Sequence, residues 1–280
     1  MDIVKDLKLD GERALYGSRD LKVVNVAFDG PADGESALKE CANIEVEKCF
    51  CNLRYPFWHV HGLKISDSEL TVNCRASLWY SDDIEVKDTK LHGPKAFREC
   101  ARVKVSNCDV ISPEFGWSVD GFEMCDCTVT DSEYFLMRSN NIKFKNVTFI
   151  GKYPCQYIEN AEFVNCRFDS KDSFWHAKNV VIKDSVIRGE YIGWYAENLT
   201  FINCTVIGTQ PLCYCKGLKL INCKCEQFDL AFEKSETEAE ITTSVISIRN
   251  PYKGTIRVKS VGEIVRDDPK SDGVIIVTEQ

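Results

Sequence analysis

No apolar run in the 280-residue sequence is long enough to cross a bilayer, so no membrane-spanning helix is expected. There is no basic excess either. Lys and Arg number 35 against 43 Asp and Glu, a net charge of −8, and the two signs are interspersed rather than blocked. A surface that binds nucleic acid normally carries a basic stripe, so neither nucleic acid nor membrane is expected as a partner. The start, Met1-Asp-Ile-Val-Lys-Asp-Leu-Lys8, lacks the basic residues and apolar stretch of a secretory leader. A cytoplasmic protein is the expectation. Helical periodicity is missing, and so is any linker between about Asp20 and Ser235.

What is present is a repeat. Asn198-Leu-Thr-Phe-Ile-Asn-Cys-Thr-Val206 returns nineteen residues later as Gly217-Leu-Lys-Leu-Ile-Asn-Cys-Lys-Cys225, and nineteen earlier as Asn179-Val-Val-Ile-Lys-Asp-Ser-Val-Ile187. A fixed short period is the mark of a solenoid. Repeats begin at Asp20, Asn43, Gly62, Asp83, Arg102, Gly121, Asn141, Asn160, Asn179, Asn198 and Gly217. The second and fourth positions are apolar, as in Leu21 and Val23, Ile44 and Val46, or Leu199 and Phe201. Alternation at period two reads as a strand buried on one face.

The sixth position is Asn or Asp in every repeat but one, where Lys48 stands. Asn and Asp tolerate left-handed backbone and bond their own main chain, so this column predicts a corner between two strands. The seventh position is small and carries Cys49, Cys108, Cys127, Cys166, Cys204 and Cys223. Each unit is too short for a strand, a helix and a return. It fits one turn of a parallel β-helix whose equivalent residues stack about 4.8 Å apart, with right-handed crossovers. The expected fold is therefore all-β, a single-stranded right-handed parallel β-helix of about eleven coils. Residues 1–19 form an N-terminal cap, 20–235 the repeats and 236–280 a C-terminal cap, in one domain.

The fifteen cysteines are odd in number. In a long chain without a leader they read as small core residues, a stacked cysteine ladder rather than a disulfide framework. The Cys-x-Cys pairs share a strand face, whereas zinc sites use knuckles and loops; no metal and no cofactor are expected.

Functional residues are sought on a third strand. Its fifth and second residues before the next repeat are apolar or small, and outward-facing pairs lie between them: Trp58-His59, Trp79-Tyr80, Arg98-Glu99, Trp117-Ser118, Met137-Arg138, Gln156-Tyr157, Trp175-His176, Trp194-Tyr195 and Cys213-Tyr214. A row of flat rings with polar tips suits sugars, which present apolar faces and hydroxyls together. The candidate substrate-binding residues are Trp58, His59, Trp79, Tyr80, Trp175, His176, Trp194, Tyr195 and Tyr214, unless these rings pack into the core. Glu114 and Glu133 read as one column of adjacent coils, with carboxylates about 5 Å apart as in a retaining glycosidase. With Arg138 they are the candidate catalytic group. Asp131, Asp172 and Glu190 lie in the same loop region.

Asp82-Asp83, His92-Gly93 and Arg102-Val-Lys104 follow the order of the polygalacturonase signatures. Asp83 and His92 fall half a coil apart, so those roles do not carry over. Together, the Asn-Leu-Thr-Phe-Ile-Asn-Cys repeat, Ala37-Leu-Lys-Glu-Cys-Ala42 and Ala96-Phe-Arg-Glu-Cys-Ala101, the Phe174-Trp-His and Gly193-Trp-Tyr triplets, and Ile248-Arg-Asn-Pro251 resemble one family, domain-of-unknown-function family 3737. The resemblance implies a pectin-lyase-like right-handed β-helix and no activity. Two functions stay open: a carbohydrate-binding or polysaccharide-active protein, hydrolase- or lyase-like if an enzyme, and a non-catalytic scaffold for protein interaction.

Overall fold

The computed structural model describes residues 1–30 and 36–279. It divides into two compact units, Met1–Lys143 and Phe144–Gln280. Both are parallel β-helix, with about 14 turns in all and no helix among the described residues.

In the first unit the strands Asp2–Lys5, Arg19–Val24, Ala42–Glu47, His61–Ser66, Asp82–Lys87, Ala101–Ser106 and Asp120–Cys125 stack in parallel. Their register runs Asp2↔Leu21↔Ile44↔Leu63↔Ile84↔Val103↔Phe122. In the second unit the strands include Glu159–Val164, Lys178–Lys183, Glu197–Ile202 and Leu218–Glu226, with Val180 level with Ala161 and Leu199. The predicted apolar columns fill the interior. Leu63, Val86, Phe122, Phe163, Val180 and Leu199 are fully buried, and each such side chain contributes about 1.5–3 kcal/mol.

There are more turns than the expected eleven because both predicted caps coil. Asp2–Lys5 pairs with Arg19–Val24 as a further turn. In the second unit Glu236–Ile241, Lys253–Val258 and Val274–Val277 extend the column of Leu218–Glu226, with Leu220↔Ala239↔Ile256↔Ile275 in register. Asp2 stands nineteen residues before Leu21 and Thr237 nineteen after Leu218, but neither is apolar, and the step from Glu236 to Lys253 shortens to seventeen, so the terminal coils do not carry the letters of the repeat.

The Asn/Asp corner is left-handed as predicted. Asn25, Asn107, Asn165, Asn203 and Asn222 have φ between 49° and 53°. A second left-handed column opens each repeat, with Asn43, Asn160, Asn179 and Asn198 at φ 53° to 55°. These side chains also bond from coil to coil. Asn198 Nδ2 donates to Asn179 Oδ1 (3.0 Å), and Asn222 Nδ2 to Asn203 Oδ1 (2.9 Å). Such amide ladders satisfy side chains while fixing register.

The cysteines are free, and all but Cys125 are buried. They do more than fill space. Cys49 Sγ donates to the carbonyls of Glu47 (3.3 Å) and Val23 (3.6 Å), and Cys204 Sγ to those of Ile202 and Ile182 (both 3.3 Å). Ser68 and Ser185 make the same bond to a carbonyl two residues back. Where the column carries Cys or Ser it holds a small donor bonded back into the bend, and the Cys thiols also reach the neighbouring coil; Val26 and Val147 fill the same place by size alone. Burial pushes most of the thiols up, Cys204 to about 11 and Cys74 to about 12, which keeps those protonated and unreactive, whereas Cys108 is lowered by its hydrogen bond with Cys127.

The third strand is corrected. Among the described outward pairs only those around Leu78–Trp79 and Phe97–Arg98 lie in paired strands, Arg98 and Trp117 add an isolated bridge, and the others are turn or bend. The outward pairs explain why. Adjacent residues of a pleated strand face opposite sides, so two consecutive outward residues require a break in the pleat. That break is a left-handed residue at the second member of each pair: His59 (φ 53°), Tyr80 (57°), His176 (54°), Tyr195 (60°) and Tyr214 (62°). Backbone bonds still join the coils, as from His59 N–H to Trp79 O (3.1 Å) and from Tyr195 N–H to Cys213 O (3.1 Å).

Candidate functional site

The outward pairs form two parallel ladders in each unit. In the first unit the inner ladder starts with Lys39, whose Nζ lies 5.6 Å above the Trp58 ring. Trp58 stacks on Trp79 at 5.2 Å and 6°. Arg98 then lies between Trp79 (4.4 Å) and Trp117 (4.7 Å) as a guanidinium sandwiched by two indoles. The outer ladder is shorter, with His59 stacked on Tyr80 at 5.1 Å.

In the second unit Trp175 stacks on Trp194 at 5.4 Å and 4°. Outside them runs a ladder of four rings. Tyr157 lies on His176 (4.7 Å), His176 on Tyr195 (4.9 Å) and Tyr195 on Tyr214 (4.8 Å), all within 12° of parallel. Tyr157 is 45% and Tyr195 44% exposed. Tyr214 closes the ladder by donating its hydroxyl to Glu233 (3.2 Å). Burial and the neighbouring Glu233 carboxylate push that phenol up to about 12, so it stays a donor.

Every indole N–H is used internally. Trp79 donates to Lys95 O (2.7 Å), Trp117 to Tyr134 O (2.6 Å), Trp175 to Tyr191 O (2.7 Å) and Trp194 to Gln210 O (2.7 Å), while Trp58 reaches Ala76 O (2.5 Å). The tryptophans are half-buried, and where they stack their faces cover one another. Within the four-ring ladder, the faces of His176 and Tyr195 are likewise covered on both sides. What the strip offers outward is ring edges and polar tips. Ring edges are electropositive, and the imidazole nitrogens and phenol hydroxyls both donate and accept. Such a surface suits oxygen-rich ligands approaching edge-on.

The proposed carboxylate pair does not share a column. Glu114 N–H donates to Glu133 O (2.8 Å), and from the preceding coil Lys95 N–H donates to Pro113 O (2.8 Å). Pro113 is therefore level with Glu133, and Glu114 with Tyr134. Asp131, left-handed at φ 49°, is the extra residue that shifts the register. It falls between Thr130, paired with Ile111, and Ser132, whose hydroxyl reaches Ser112 O (2.7 Å). The Glu114 carboxylate is ion-paired with Arg98 (3.2 Å) and Lys95 (3.3 Å). Arg138 is exposed, at the position equivalent to Ser118.

The polygalacturonase-like letters serve other ends. Arg102 makes a two-pronged ion pair to Asp83 (2.6 and 3.0 Å), replacing the amide bond of the ladder, and His92 pairs with Asp109 (2.8 Å).

Two participants were not among the candidates. Tyr157 belongs to the outer ladder, but its partner in the pair is Gln156 rather than Trp; position in the column was the signal. Asp172 precedes Trp175 and is only 8% exposed. Its Oδ1 is buried with no hydrogen-bond partner, and burial raises its pKa.

Among solved structures, the fold is similar to a double mutant of the tailspike protein of E. coli bacteriophage HK620 in complex with a pentasaccharide. Sequence identity is 8% and the TM-score 0.51, over 97% of this chain and 71% of that one. It is also similar to a mutant DFA-IIIase from Arthrobacter chlorophenolicus, at 9% identity and TM-score 0.42, over 99% and 89% of the two chains. At such identity the likeness speaks for the β-helix alone. No curated protein matches the sequence. One family model matches residues 2–277, nearly the whole chain, and the chain belongs to that family, described as Protein of unknown function (DUF3737).

Proposed function

We propose that the protein binds oligosaccharide or polysaccharide without cleaving it, along the outer ring ladder of the second unit. The observation that carries this reading is the ladder Tyr157, His176, Tyr195 and Tyr214, four rings with polar tips repeating every 4.7–4.9 Å. Left-handed non-glycine residues cost roughly 1–2 kcal/mol each. That conformation belongs to the coil itself, since Glu99, Ser118 and Arg138 share it, and at φ 54° to 62° it turns these four rings outward beside the neighbouring column. A saccharide lying along the ladder would receive hydrogen bonds from the tips and place its oxygens against the ring edges. The pentasaccharide complex of the similar tailspike supports the choice of ligand class.

Binding is preferred to hydrolysis because Glu114 is held by Lys95 and Arg98 and is out of register with Glu133. A scaffold is the second reading. The stacked indole faces and their spent N–H groups favour it for the tryptophans, whose first role is to hold coils together.

A glycan array spanning plant and microbial polysaccharides, followed by melting curves with each hit, tests the proposal. Binding that disappears in Tyr195→Ala supports it. No binding across the array overturns it in favour of the scaffold.

A further inference from the structure

The last strands of the second unit are Val261–Val265 and Val274–Val277, and among the described residues each is paired along one edge only. Val274–Val277 ends the inner column Leu220, Ala239, Ile256 and Ile275. Ile256 and Val258 are buried, but Val274 and Val277 are 53% and 43% exposed, and Ile264 on the neighbouring end strand 43%. The open edge runs on past the strand, since Thr278 N–H donates to Val258 O (2.9 Å) and Glu279 N–H to Lys259 O (3.0 Å). No charge interrupts Gly273-Val-Ile-Ile-Val-Thr278.

The edge at Asp2–Lys5 is built differently. Asp2 stands in the inward column of Leu21, and Lys5 and Asp6 follow it. An inward-pointing charge is one of the devices that keep strand edges from pairing, because a coil stacked over it would bury a carboxylate. Val274–Val277 carries no such device. Its inward residues are Ile275 and Val277, level with Ile256 and Val258. A head-to-tail join of two copies would bury Asp2, whereas a tail-to-tail join covers apolar side chains.

The letters of this edge also match themselves. Residues directly opposite one another in an antiparallel pair share a face of the sheet. With Ile276 set against the second copy's Ile276, Ile275 falls opposite Val277 and Val274 opposite Thr278. Ile275 and Val277 both face inward, so the apolar column of one copy runs on into the other. A slip of one residue would turn the second copy's column to the solvent side. The two-fold also closes the contact at two chains, the commonest form of assembly.

We infer that this end of the coil is an interface for a second copy of the chain, the two Val274–Val277 edges pairing antiparallel about Ile276. It stands independently of the saccharide reading.

Gel filtration with light scattering on the full chain, over a wide range of concentrations, tests it against Ile276→Lys. Ile276 is level with Arg257 on the outward face, so the lysine leaves the core untouched but meets its own copy across the two-fold. The parent is expected at twice the mass of one chain, and Ile276→Lys at the mass of one chain with the parent's circular dichroism spectrum. A parent of single-chain mass throughout, or a lysine variant that folds and stays dimeric, overturns the interface. Open-ended polymers of the parent also overturn it, in favour of head-to-tail stacking. Should the lysine variant fail to fold, Ile276→Cys treated with diamide decides. A covalent dimer that the parent does not form supports the interface, and the lack of one overturns it.

Discussion

Trp175 and Trp194 lie flat on one another, 5.4 Å apart and 4° from parallel, and each spends its N–H on a backbone carbonyl of the next coil. The pair is therefore part of what joins successive turns, and its loss should register first as stability. Trp194→Ala removes the stack, the hydrogen bond and the contact with Tyr191. Large-to-small changes at buried aromatics cost about 3–5 kcal/mol, so about 3 kcal/mol is expected at this half-buried site. Trp194→Phe keeps a stacked ring and loses the N–H, at a cost of about 1 kcal/mol. Urea denaturation of both variants measures the difference.

Asp172→Asn should stabilise the fold at neutral pH. The raised pKa of Asp172, caused first by burial and second by the Lys171 and Glu190 charges working in opposite senses, means that the folded state holds its proton more tightly than the unfolded one. Stability therefore falls as pH rises through the window just above the ordinary carboxylate value of 3.8. The asparagine variant, with no proton to lose, escapes that fall. Its melting temperature should exceed the parent's at pH 7, and the gap should close below pH 4.

Charge alternates without error on the outer face of the first unit, where Lys22, Glu45, Lys64, Glu85, Lys104 and Glu123 are stacked neighbours. A slip of one whole coil would set like charges together. Lys64→Glu places three acids in line and should cost about 1 kcal/mol. The cost should shrink in 1 M salt, where the screening length is about 3 Å. Melting curves at low and high salt check both statements.

Thiol chemistry offers a further check. Of the fifteen cysteines, only Cys125 reaches partial exposure. Iodoacetamide under native conditions should label Cys125 alone. Mass spectrometry after unfolding should show the remainder modified.

The sequence made the coil legible because its constraints are local and repeated. An Asn at the sixth position, such as Asn203, marks a left-handed corner in any coil, and the alternation of Leu199 and Phe201 marks a buried face. The terminal coils escaped because their letters depart from the columns, with Asp2 level with Leu21 and Thr237 with Leu218, and because the step from Glu236 to Lys253 is seventeen. The candidate site was half legible. The in-out-out-in order around Trp194-Tyr195 showed which residues point outward, yet it also ruled out a pleated strand, and the left-handed turn follows from that order. Glu114 and Glu133 were misaligned because one extra residue, Asp131, sits inside the coil where no column marks it. Asp172 was visible only as a loop acid; its unpartnered oxygen is a property of packing, which no column of letters records.

The central claim is that saccharide lies edge-on along Tyr157, His176, Tyr195 and Tyr214. Ring-labelled tyrosine and histidine spectra, recorded while the best-binding hexasaccharide is titrated in, test it most directly. The account predicts shifts confined to those four rings and Tyr191, with the ring signals of Tyr55 and Tyr80 unmoved. Saturable binding that leaves the four rings unshifted would contradict it.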